Sequence, residues 1–115
     1  MSNSTDTPSG ESIVECQFQN GSISVYDTYL TIERAKGSNY ENKRIEMNEI
    51  YDVTHTSGII TGHIQIHQHG VEPDAGGFFT HPVDENTLYF QRAKRSCAEQ
   101  ARDAIIERMA GDRAE

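Results

Sequence analysis

The chain has 115 residues, with 10 Lys and Arg against 18 Asp and Glu, 5 His, 2 Cys and no Trp. That length suits one domain, and a net charge of −8 opposes a general nucleic-acid binder, which must neutralise phosphates. Mean hydropathy is −0.68, no apolar run approaches the ~20 residues of a bilayer span, and the first ten residues lack the basic start and apolar stretch of a signal peptide.

Residues 1–11 hold no apolar side chain after Met1 and read as a disordered leader. The folded domain is expected over 12–111, with a tail at 112–115. Period-two alternation then runs for about eighty residues, the signature of strands with one buried face. Val14, Cys16 and Phe18 share the inner face of a first strand. Asn20-Gly21 reads as a two-residue hairpin turn. Ile23 and Val25 mark the second strand, and Asp27-Thr28 a tight turn. Leu30 and Ile32 mark the third, Ile45 and Met47 the fourth, Tyr51 and Val53 the fifth. Ile64 and Ile66 define a sixth, Leu88 and Phe90 a seventh, with a long Gly/Pro/Asp segment between these two.

The period then changes. Cys97, Ala101, Ile105 and Met109 are spaced by four, with Ala98 and Ala104 beside them, which predicts an amphipathic helix over 97–110. Ser96 and Glu99 read as its capping box, Gly111 as its stop. Residues 1–91 carry 13 acids and 4 bases, and residues 92–115 carry 5 acids and 6 bases, so the β part holds the negative charge. Seven strands and a helix predict a mainly β, seven-stranded antiparallel barrel or sandwich capped by one C-terminal helix.

That plan, and the stretches Phe18-Gln-Asn-Gly21, Ile23-Ser-Val-Tyr26, Leu30-Thr-Ile-Glu-Arg34, Gly62-His-Ile-Gln-Ile66 and Asp84-Glu-Asn-Thr-Leu-Tyr-Phe90, resemble short prokaryotic pleckstrin-homology-like (PH-like) domains. The resemblance spans about residues 13–108. It implies a fold and brings no catalytic residues; the C-terminal oligomerisation segment of some members has no counterpart in the pattern read here. The segment 70–83 is long for that pattern.

His63, His67 and His69 share parity with Gln65, so a strand sets three imidazoles on one face. Same-face neighbours lie about 6.6–7 Å apart, wide for one ion held at about 2.1 Å from each nitrogen. The preferred reading is a solvated polar strand face, with a metal or small-ligand site on His63, His67 and His69 as the alternative. Cys16 and Cys97 are too few for a disulfide scaffold and read as small core residues, which makes a reducing cytoplasm the default compartment. Arg34, Lys36, Lys43 and Arg44 form a basic cluster interleaved with Glu33, Glu41 and Glu46, too weak for stable membrane association at ~1 kcal/mol per base.

Two loops carry apolar pairs, Ile59-Ile60 and Phe78-Phe79. Such pairs either fold back over the domain or form a contact patch. The expectation is a non-enzymatic, cofactor-free module that binds a protein partner or itself as a homo-oligomer. Ile59, Ile60, Phe78 and Phe79 are its binding residues, and like-charge repulsion is relieved by salt.

Overall fold

The computed structural model describes residues 11–58, 60–76 and 83–113, with side chains to 109. The leader expected at 1–11 therefore falls, except for Glu11, outside the described residues, as do Ile59, Phe78 and Phe79.

Two antiparallel sheets and one long helix enclose a single core. Strands β1 (Val14–Phe18), β2 (Gly21–Val25), β3 (Tyr29–Arg34) and β4 (Lys43–Glu46) form the first sheet in chain order. A 3-10 turn, Met47–Glu49, leads to the second sheet of β5 (Ile50–Thr56), β6 (Thr61–Gln68) and β7 (Thr87–Gln91). The sheets do not close into a barrel. They are joined where the β1–β2 turn reaches β7: the Gln19 amide donates to the Tyr89 carbonyl at 2.9 Å, and the Tyr89 amide to Asn20 Oδ1 at 2.9 Å.

The alternation sets the inner faces as expected. Cys16, Ile23, Val25, Leu30, Ile32 and Ile45 from the first sheet meet Ile64, Ile66, Leu88 and Val53 from the second. Register places Phe18 opposite Gly21, so the hairpin loop is Gln19-Asn20, one residue earlier than the Asn-Gly signal suggests. Gly21 is required by space: a Cβ there would strike the Glu33 carbonyl. At Gly62 a Cβ would lie 2.5 Å from the Thr56 carbonyl and 2.7 Å from the Phe90 ring, which explains the glycine leading β6.

Tyr51 departs from its expected place. A register shift between Ile50 and Asp52 breaks the alternation, so Ile50 and Val53 are buried and Tyr51 is 41% exposed. A bulge of this kind re-aims the side chains on either side of it.

The helix α1 spans Arg95–Arg113, preceded without a break by a 3-10 turn at Arg92–Lys94. Ser96 therefore lies inside the helix rather than at its cap, and Gly111 does not end it. Its buried face is the predicted one, Ala98, Ala101, Ala104, Ile105 and Met109, packed mainly on β5, β1 and the Met47–Glu49 turn.

Cys16 and Cys97 are in the core region, as read, but as a disulfide: the sulfurs are bonded and the Cα atoms lie 5.9 Å apart. The bond pins β1 to the first turns of α1 across 81 positions. Expecting a reducing compartment rested on two thiols, and a cystine withdraws that support. Among the described residues no helix is long and apolar enough to cross a membrane.

Two outcomes are expected in denaturant melts. Closing so long a loop is worth about 4–5 kcal/mol in the chain-entropy account, so Cys16→Ala/Cys97→Ala lowers stability by roughly 2–5 kcal/mol. Ile105→Ala costs roughly 2–5 kcal/mol as a buried truncation, whereas Ile106→Ala, next along the helix but 39% exposed, costs under about 1 kcal/mol. Equal losses at 105 and 106 would contradict the packed face.

Candidate functional site

β6 is central to the second sheet and buried on both faces. Ile64 and Ile66 face the core, yet His63 and Gln65 on the opposite face are only 7% and 4% exposed. The solvated polar face expected here is thus corrected over half its length. At Gln65 the reason is the segment after β6, whose described flanks bring Asp74 and Asp84 onto that side chain.

Asp84 holds that segment down. Its Oδ2 accepts from Gln65 Nε2 at 2.8 Å and from the Asp74 amide at 2.9 Å. Its Oδ1 accepts from the Asn86 amide at 2.9 Å and Thr87 Oγ1 at 2.6 Å. Asp74 reciprocates: Oδ2 accepts from the Val83 amide at 2.7 Å, and its carbonyl from Gln65 Nε2 at 2.8 Å. The two ends of the segment are thereby tied together and to β6. Burial alone would raise the Asp84 carboxyl, but the bonds from Thr87, Asp74, Gln65 and Asn86 outweigh it and hold the group below the ordinary carboxylate range.

The first sheet reaches the same place through two of the basic residues. Arg34 donates to the carbonyls of Thr87, Asp84 and Glu85 at 3.1, 3.3 and 2.6 Å and lies over the Tyr40 ring. Lys43 donates to Gln68 Oε1 at 3.0 Å and pairs with Glu85 at 3.3 Å. Arg44 pairs with Glu46 at 2.6 Å and stacks 3.7 Å over Tyr29. Of the cluster Arg34, Lys36, Lys43 and Arg44, three are thus engaged within the fold.

The histidines are not brought together as one ligand set. His63 is buried, His67 Nε2 shares a 2.7 Å hydrogen bond with Thr54 Oγ1, and exposed His69 lies 4.9 Å from the Tyr51 ring. No group of three His, Cys, Asp or Glu among the described residues is placed to hold a metal ion. His55 stacks on Phe90 beside Arg102, and burial followed by the Arg102 charge keeps its imidazole below the usual value.

Two shallow clefts flank the returning segment and share the wall Val71, Glu72 and Pro73. One, about 640 Å³, is lined further by Tyr40, Val83, Asp84 and Glu85. The other, about 650 Å³, adds Tyr51, Gln68 and His69. At the far end of β6, Ile60 projects from the β5–β6 hairpin with 75% of its surface exposed. Of the two apolar pairs, this is the residue whose position is described, and it does not fold back. Arg92, Lys94 and Arg95, which follow β7, are exposed, in keeping with the change of charge sign at residue 92.

Asp84→Asn removes one of the two carboxylate oxygens and the charge, and is expected to cost about 1–3 kcal/mol at neutral pH. The native carboxyl titrates below the unfolded value of about 3.9. Its contribution is therefore complete above about pH 4 and lost as pH falls through the folded value. Urea melts across pH should show this acid limb flattened in Asp84→Asn; an unchanged limb would contradict the latch. In comparisons with known proteins, no family model, no curated protein and no solved structure matches this chain.

Proposed function

We propose that this chain is a non-enzymatic interaction module on a PH-like fold, binding a second copy of itself or another protein. Two antiparallel sheets of four and three strands followed by a C-terminal helix support the PH-like reading. Ile60 carries the functional one: a large apolar side chain, three-quarters exposed, at the tip of a hairpin rather than over the core. It is the most exposed of the large apolar side chains among the described residues and belongs to an apolar pair in the sequence, which is the kind of patch that a contact surface uses. Arg34, Lys43, Asp84 and Gln65 act as internal fastening, which leaves the hairpin tip and the cleft walls to meet a partner.

Light scattering at tens of micromolar tests this. The native chain should run as an assembly, and Ile60→Ser should weaken it roughly tenfold, the size expected for losing one apolar anchor. A native chain that is monomeric at every salt concentration and captures no protein would sink the reading.

A further inference from the structure

The two halves of α1 are held to the sheets by different means. In the second half Ile105 and Met109 bury large side chains in the core, and Arg108 reaches Asp27 at 3.5 Å. Over residues 95–102 the buried side chains are Ala98 and Ala101, a methyl group each and so little apolar area. Residues 95, 96, 99 and 100 are exposed. The strong link of this first half is the Cys16–Cys97 bond to β1.

The two sulfurs of that bond differ in access. Cys16 is 1% exposed, whereas Cys97 is half-buried and follows six exposed residues, 91–96. Arg92, Lys94 and Arg95 line this approach, and the first turn of α1 carries no acid. Positive charge there favours an incoming thiolate, the form that attacks a disulfide. Each sulfur also lies near a carbonyl that a thiol could donate to. The Cys97 carbonyl is 3.1 Å from Cys16 Sγ, and the Glu15 carbonyl is 3.5 Å from Cys97 Sγ.

We propose that Cys16–Cys97 is a reversible redox latch, opened at Cys97 by a dithiol reductant, that decides whether the first two turns of α1 stay docked on β1. The reductant's thiolate attacks Cys97 Sγ, forming a mixed disulfide as the Cys16–Cys97 bond breaks. Cys16 leaves with the electron pair, takes a proton and can donate to the Cys97 carbonyl. The second thiolate of the reductant then attacks its own bonded sulfur and releases Cys97. One protein disulfide becomes two thiols, and the dithiol becomes a disulfide. With only two alanines left to hold it, the start of the helix opens locally, while Ile105 and Met109 keep the remainder in place. Opening bares β1, the outer strand of the first sheet.

The test is amide hydrogen exchange on the full chain, oxidised and after dithiothreitol. In the oxidised chain the amides of residues 99–102 and 105–109 should be protected to a similar degree. In the reduced chain those at 99–102 should exchange at least roughly tenfold faster than those at 105–109. Cys16→Ala/Cys97→Ala should show the reduced pattern with or without dithiothreitol. Single variants locate the point of attack: oxidised glutathione should modify Cys97 in Cys16→Ala at least roughly tenfold faster than Cys16 in Cys97→Ala. Equal protection of the two helix halves after reduction, or loss of the whole fold, would make the bond a plain structural staple and overturn the latch. So would a bond that dithiothreitol reduces only in denaturant, or a Cys16 that reacts as fast as Cys97.

Discussion

The Asp84 carboxylate is the constraint on which the second sheet depends. Four donors converge on its two oxygens: one side chain of β6, one backbone amide across the returning segment, and two groups of its own turn. Without that acceptor, the buried Gln65 amide would keep only the Asp74 carbonyl for its two N–H donors, and a buried donor left unpaired is costly in a low-dielectric setting. With it, a polar strand face becomes a second, hydrogen-bonded layer. The anion is tolerated because it is bonded, and its lowered titration range is the consequence.

The same turn is where the two sheets are fastened. Arg34 leaves β3 to bond three successive-region carbonyls, those of Asp84, Glu85 and Thr87, a use that suits the planar five-donor guanidinium. Lys43 and Asn86 converge on Gln68 Oε1. The opposite fastening is covalent, with Cys16 and Cys97 tying β1 to α1. Between these two clamps the core needs no closed hydrogen-bonded barrel. Arg34, Lys43 and Arg44 are thus satisfied within the fold, whereas Lys36 and the cations after β7 are exposed.

The strands, their inner faces and the buried stripe of α1 were legible in the sequence because each depends on local periodicity, and burial of one face selects the register. Cys16, Ile23, Leu30, Ile64 and Ile105 needed nothing beyond that. Tyr51 was misread because a bulge adds a residue without leaving a mark in composition. Ser96 was misread because a capping motif is also an ordinary helix sequence once a preceding 3-10 turn supplies the start. The turn at Asp84 was half legible: an Asp two residues before Asn86 and three before Thr87 is an Asx-turn pattern, but the pattern does not say that Gln65 and Asp74 will share the same carboxylate.

Sequence alone therefore determined a mainly β domain, an acidic β half, a neutral helix and the apolar residues that fill the core. Tertiary structure decided the rest, since each remaining feature joins residues far apart in the chain. The Cys16–Cys97 bond spans 81 positions, Arg34 meets carbonyls about fifty residues on, and Gln65 meets the Asp84 carboxylate 19 residues on. Pairings of that kind depend on where two surfaces meet, which the alternation within one strand does not encode. Exposure of Ile60 is of the same origin: an apolar pair in a loop can fold back or face solvent, and only the fold shows that Ile60 is exposed.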